Sequence, residues 1–282
     1  MKIAIASGKG GTGKTTIATN LAAVLSNDGR AVELLDCDVE EPNCHIFVKP
    51  EIESSKKVTV PVPKVDEDKC TGCGVCGEVC QYSAIVCLKG KVLVFPELCH
   101  SCGGCMLFCP EDAITEEGRE IGYVETGSAR GFRFAQGRLR IGEVMAPPLI
   151  GAVRQKALEN EVTIVDAPPG TSCPVIEAVK DTDYIILVTE PTPFGLNDLK
   201  LAVEMVRVLE IPFAVAINRC DSGDDSVGQY CQAEEIDVIL EIPDDRRIAE
   251  AYSVGKMIAD VLPEYRKDFT GLYETISQKL KD

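Results

Sequence analysis

An apolar segment, Lys2–Ser7, leads without a linker into Gly8-Lys9-Gly10-Gly11-Thr12-Gly13-Lys14-Thr15, and Thr16 continues into an apolar-periodic stretch ending at Ser26. This run narrows the fold more than any other feature of the chain. The octapeptide fits the pattern G-x-x-x-x-G-K-[ST], in which glycines let the backbone curl so that successive N–H groups converge on phosphate oxygens. The N-terminus of the following helix adds its dipole to the same site. Lys14 would reach the β- and γ-phosphates and Thr15 would ligate Mg²⁺. Strand, loop and helix in that order predict an α/β fold with the site on the carboxyl edge of a mostly parallel sheet.

The rest of the chain supplies the other strands. Ala31–Leu35, Val162–Val165, Tyr184–Thr189, Phe213–Asn218 and Val238–Ile242 are short runs rich in Ile and Val, as in strands buried on both faces. Helical patterns over Leu196–Leu209, Asp244–Val254 and Pro263–Leu280 alternate with them, which predicts helices on both faces of the sheet. Asp36 and Asp38 end the second strand, and Asp166 ends Val162–Val165 just before Ala167-Pro168-Pro169-Gly170. An aspartate after an apolar strand suits the Mg²⁺ site of a P-loop NTPase, and the Pro-Pro-Gly turn suits a switch that senses the γ-phosphate.

The alternation stops between about Val60 and Gly118, where an internal repeat appears. Cys70, Cys73, Cys76 and Cys80 have C-x2-C-x2-C-x3-C spacing, and Cys99, Cys102, Cys105 and Cys109 repeat it 29 residues later. Ala84-Ile85 recurs as Ala113-Ile114. In this bacterial ferredoxin pattern the fourth cysteine of each run ligates the other run's cluster. Two [4Fe–4S] clusters are therefore expected, one on Cys70, Cys73, Cys76 and Cys109, the other on Cys99, Cys102, Cys105 and Cys80. The organisation predicted is a P-loop domain, residues 1–60 and 119–282, with an inserted α+β dicluster module, residues 61–118. Cys37, Cys44, Cys87, Cys220 and Cys231 read as small buried apolar residues.

Charge narrows the partners. The formal net charge is −16, and residues 64–118 alone carry nine acidic and four basic side chains. Phosphate-backbone binding needs clustered Lys and Arg, so a nucleic acid is not expected. Nor is direct membrane binding, since the face opposite Phe269, Leu272, Tyr273, Ile276 and Leu280 mixes Lys with Glu. Fourteen cysteines in a chain of 282 residues, eight of them at cluster spacing, suit a reducing cytoplasm.

With Lys9 early in the loop, Asp36-Cys37-Asp38, Asp166-Ala167-Pro168-Pro169-Gly170, Thr189-Glu190-Pro191 and Asn218-Arg219, the sequence resembles the MinD/Mrp/ParA superfamily of P-loop ATPases, which also holds the nitrogenase iron protein. The resemblance implies that Lys9 crosses a dimer interface to the phosphates of ATP in the partner subunit. That makes an ATP-sandwich dimer, either a homodimer or one with a sister subunit. It further implies that Asp38 orients the attacking water and that Asn218 reads the adenine ring, with Arg219 beside it and the Pro243 segment nearby. Cys173 stands at the offset from Asp166 of a cysteine that holds a dimer-bridging cluster in the nitrogenase iron protein. Relatives donate electrons or handle metal clusters, so the implied function is a MgATP switch that drives electron transfer or metal-centre assembly on a partner protein. The other expectation is a positioning ATPase of the MinD/ParA kind in which the clusters are structural.

Overall fold

The computed structural model describes residues 1–158 and 162–281. Its strands are β1 (Lys2–Ala6), β2 (Val32–Asp36), β3 (Glu51–Val65), β4 (Ile85–Leu88), β5 (Lys91–Val94), β6 (Ile114–Ala129), β7 (Phe132–Leu139), β8 (Val162–Asp166), β9 (Tyr184–Thr189), β10 (Phe213–Asn218) and β11 (Val238–Ile242). Nine of them form one sheet in the order β11-β10-β9-β1-β8-β2-β7-β6-β3, and β4 pairs with β5 as a separate hairpin. From β11 to β7 all neighbours are parallel; β6 and β3 add two antiparallel strands at one edge.

The parallel strands are continuous apolar runs because helices cover both faces. On one face the helices Lys14–Asn27 and Arg266–Lys279 bury Leu21, Leu25, Phe269 and Ile276 against Ile3, Leu34 and Ile186. On the other, Ala146–Arg154, Cys173–Val179, Pro193–Val208 and Ser226–Ala233 bury Leu149, Val175, Val203 and Val227 against Ala4, Leu35 and Leu187. At roughly 1.5–3 kcal/mol per fully buried aliphatic side chain, the two layers are the main favourable term in folding.

Three strands depart from the sequence reading. β3 and β6 carry no strand signal in the sequence, because a sheet edge with one solvated face needs no continuous apolar run; β7, between β2 and β6, has its apolar run broken by Arg133, Gln136 and Arg138. β3 runs Glu-Ile-Glu-Ser-Ser-Lys-Lys-Val-Thr before its first buried residue, Val60. Pro61 and Pro63 look like linker residues, yet both sit within β3 opposite Gly118 and Glu116 of β6. Two apart, they point the same way, and on the outermost strand a missing N–H on the outer side leaves the ladder intact. The expected boundaries, 60/61 and 118/119, thus fall opposite each other inside one continuous ribbon. Beyond its far end, residues 66–113 hold the helices Val75–Val79 and Gly104–Leu107 and the β4–β5 hairpin. Ile85 and Ile114 are buried together there.

Candidate functional site: a glycine loop and two cysteine-lined cavities

The glycine loop joins β1 to the helix Lys14–Asn27. Gly13 caps that helix with φ +100°, and a Cβ there would meet Asn218 Nδ2 at 2.6 Å. Gly8 is as tightly placed: its Cβ would lie 2.2 Å from the Asp198 carbonyl oxygen. Gly10 and Gly11 are exposed with open space around them, whereas Thr12 is buried. Asn218, at the end of β10, donates from Nδ2 to the Thr12 carbonyl at 2.9 Å. The loop is tied to the Pro-Pro-Gly turn, where the Gly170 N–H donates to the Ser7 carbonyl at 2.9 Å.

Lys14 is buried, and that burial lowers its pKa against the pull of Asp166 and Asp38. Thr15 Oγ1 donates to Asp166 Oδ2 at 2.6 Å. Asp36 and Asp166 are register partners at the ends of β2 and β8, and neither is more than 1% exposed. Burial raises both carboxyl pKa values, Asp36 further because Asp166 lies beside it. Asp38 is pushed up to about 6, by burial first and by Asp166 second. Crowded acids around one lysine form a site built for a cation and a polyphosphate together.

Lys9 and Arg219 meet on one carboxylate. Lys9 Nζ lies 3.7 Å from Glu190 Oε2 and Arg219 Nη1 lies 3.3 Å from Glu190 Oε1. Arg219 also reaches Asp244 at 3.6 Å. Pro243, half-buried, follows Ile242, the register partner of Asn218. Thr16 lies on the first turn of the loop's helix. Cys173 opens the helix Cys173–Val179 and is exposed.

Cys44 is buried in the apolar core, as its reading as a small buried apolar residue expects, and it also has polar neighbours. Its backbone N–H donates to Asp36 Oδ2 at 3.0 Å and its thiol to Asp166 Oδ2 at 3.3 Å. Nothing in its local spacing signals this, since Asp166 lies 122 residues further on. Glu190, which joins Lys9 to Arg219, stands out in the sequence only within Thr189-Glu190-Pro191.

The eight cysteines of the repeat sort into two cavities. One is walled by Cys70, Cys73, Cys76 and Cys109; the other, the larger of the two, by Cys80, Cys99, Cys102 and Cys105. Each draws its fourth cysteine from the other half of the repeat, the expected crossed arrangement. No disulfide joins any of the fourteen cysteines. Backbone N–H groups point at the sulfurs: Ser101 to Cys99 Sγ at 3.4 Å and Ala113 to Cys109 Sγ at 3.3 Å. Burial raises the Cys80 thiol, but the N–H groups of Ile85, Tyr82, Ala84 and Ser83 outweigh it and hold that thiol below its ordinary range. Four sulfurs, apolar walls and aimed N–H donors fit a thiolate-ligated [4Fe–4S] group. Pro61, Pro63, Thr115 and Glu116 of the ribbon wall the larger cavity.

A strand, glycine loop and helix on the carboxyl edge of a parallel sheet, with Thr15 against Asp166, define a P-loop nucleotide-binding protein. Residues 3–258 match the family model of the CobQ/CobB/MinD/ParA nucleotide-binding domain, so the chain belongs to that family and is a P-loop ATPase. Among curated proteins it is 37% identical over 223 residues to an uncharacterised Methanocaldococcus jannaschii protein, covering 78% of each chain. It is 28% identical over 299 residues to the iron-sulfur cluster carrier protein of Pyrococcus horikoshii, covering 100% of this chain and 87% of the relative. Among solved structures, the septum site-determining protein MinD of Pyrococcus horikoshii, complexed with Mg-ADP, superposes with a TM-score of 0.61. The identity is 18%, over 98% of this chain and 95% of that one. No helix among the described residues is long and apolar enough to cross a membrane.

Proposed function

We propose that the protein is a MgATP-driven switch carrying two resident [4Fe–4S] clusters, which delivers electrons to, or assembles a metal centre on, a partner protein. The observation that carries this reading is the sorting of eight cysteines into two crossed sets of four, at the end of a ribbon that belongs to the nucleotide-binding sheet. When bound, the clusters supply one-electron capacity at low potential, within the roughly −700 to +450 mV span of such groups. Cys70, Cys73, Cys76 and Cys109 hold one; Cys80, Cys99, Cys102 and Cys105 hold the other.

The nucleotide end rests on this chain's own residues. Lys14 and the N–H groups of Gly10, Gly11, Thr12 and Gly13 bind the phosphates, and Thr15 and Asp166 take Mg²⁺ directly or through water. Asp36 supports that cation, and Asp38 orients the attacking water. Asn218, Arg219 and the Pro243 segment form the base site. Lys9 leaves Glu190 to reach ATP held by a partner subunit, closing an ATP-sandwich dimer with a second copy or a sister chain. Loss of the γ-phosphate releases Asp38 and the Asp166–Gly170 turn. β2, which carries Asp36, pairs with β7, then β6, then β3, so movement at the loop passes along one hydrogen-bonded ladder to Pro61 and Glu116 at the larger cavity. The relatives named as iron-sulfur cluster carriers support the metal-handling theme.

The test is anaerobic purification with iron and sulfide counting, then a redox titration with and without MgATP. About eight irons per chain, four for each cluster, and a midpoint potential that moves with nucleotide are expected. An iron-free protein ends the proposal. Clusters indifferent to nucleotide remove the coupling and leave the positioning ATPase with structural clusters, the reading that the MinD-like fold otherwise favours.

A further inference from the structure

The side-chain donors Asp36, Cys44 and Asp166 offer ligand atoms that all lie within 4.8 Å of one another. All three residues are fully buried, with exposures of 0%, 0% and 1%. A second observation falls on the Asp166 carboxyl group: its Oδ2 accepts from Thr15 and Cys44, while Asp166 Oδ1, buried with its residue, has no hydrogen-bond partner among the described residues. Two carboxyl groups buried side by side, one with an unsatisfied oxygen, form a donor set that a cation would complete. The Cys44 sulfur is what distinguishes it from an ordinary magnesium site, where all donors are oxygens. Thiolate with carboxylates is the donor set of zinc and its softer neighbours.

We propose that Asp36, Cys44 and Asp166 form a binding site for a thiophilic divalent cation, and that this cation and a magnesium nucleotide exclude each other. On binding, the Cys44 thiol gives up its proton to solvent and its sulfur takes the metal, while the carboxylates neutralise the ion's charge. The fourth position is left to water or to Thr15 Oγ1, which lies 2.6 Å from Asp166 Oδ2. Exclusion follows because Asp166 cannot serve both ions and Thr15 closes the same corner. By linkage, a nucleotide that weakens the metal must be weakened by it to the same factor. The soft ion is thus a brake on the loop, set by free metal in the cell. The binding limb stands on the three side chains alone; the exclusion limb rests on the nucleotide site proposed above.

The probe is cadmium-113, titrated anaerobically into the cluster-loaded, nucleotide-free chain and followed by its NMR signal and by equilibrium dialysis. One ion per chain with a signal in the thiolate range is expected beyond any signal that Cys173→Ala removes. Cys44→Ser keeps the volume and polarity of the site; it is expected to move that signal to the oxygen-ligated range and weaken binding about tenfold or more. Saturating MgADP is expected to displace the ion from the unmodified chain. A signal absent from the unmodified chain, or unchanged in Cys44→Ser, overturns the site. A Cys44-dependent signal that survives saturating MgADP supports the site and overturns the exclusion. Failure of MgADP itself to bind, read by calorimetry on metal-free protein, would count against the nucleotide reading and not against the site.

Discussion

Gly13 carries a double demand in the glycine loop, because both its φ of +100° and its contact with Asn218 oppose a methyl group. Gly13→Ala is expected to introduce about 2 kcal/mol of backbone strain and to push Asn218 off the Thr12 carbonyl. Calorimetric titration with MgADP should show affinity falling at least tenfold, with the cysteine-bound iron unchanged. Asp38 makes a different test, through pH. Its folded pKa of about 6 lies above the 3.8 of an ordinary aspartate, so the folded chain holds more protons there than the unfolded chain between those values. Stability contributed at this residue is therefore intact near pH 4, falls as pH rises to about 6, and stays lost above. Asp38→Asn is expected to raise stability by about 2 kcal/mol at pH 8 and by little at pH 4, as read from urea unfolding at both pH values; an equal gain at both would refute it. Lys14, Thr15 and Asp166 were legible in the sequence because motif and strand end place them without reference to distant residues. Cys44 was not, since its chemistry depends on Asp166, a neighbour only across the sheet.

The ribbon of β3 and β6 is the element that joins the two ends of the molecule, and one ion pair fixes its root. Arg119 of β6 donates through Nη1 and Nη2 to Glu143, which also accepts the N–H groups of Val144 and Met145 at 3.0 and 2.9 Å. The two side chains are only 10% and 4% exposed. Burial pushes the Glu143 carboxyl up, but Arg119 and the two N–H groups outweigh it and hold it below the usual range. This pair therefore stabilises the fold above the ordinary carboxyl pKa and is lost as pH falls below it. Glu143→Gln leaves the Arg119 charge without its partner and is expected to lower stability by about 3 kcal/mol at pH 7, with the difference shrinking at pH 4, in denaturant titrations. Gly122 offers a second handle on the same ribbon. Its Cβ would lie 2.4 Å from the Arg138 carbonyl oxygen and 2.8 Å from Leu149 Cδ2. Gly122→Ala should therefore wedge β6 from β7 and reduce any nucleotide-linked shift in cluster potential, measured by redox titration with iron content held equal. The central strands were legible as runs of Ile and Val. The ribbon was hidden by its solvated face, its charged residues and the two prolines that only an edge strand tolerates.

At the scale of the molecule, the crossing of the cysteine sets can be tested one cysteine at a time. Cys109→Ala is expected to remove the cluster of Cys70, Cys73 and Cys76 and spare the other, halving iron from about eight to about four per chain. Cys80→Ala should do the reverse, so that the two variants retain different electron paramagnetic resonance signals after reduction. Were each variant instead to lose the cluster of its own run, the crossed assignment would fail. The α/β class, the glycine loop with its lysine and threonine, and the repeat of two four-cysteine runs were determined by the sequence itself. Each rests on spacing within a few residues, or on a repeat whose two halves can be aligned by eye. The order of the strands decided the rest. It set Asp36 beside Asp166, brought Cys44 onto both, gathered Lys9 and Arg219 on Glu190, and ran a ribbon from the nucleotide sheet to the larger cysteine cavity. Those contacts join positions far apart in the chain, and their geometry exists only once burial of two apolar faces has fixed which strand lies next to which.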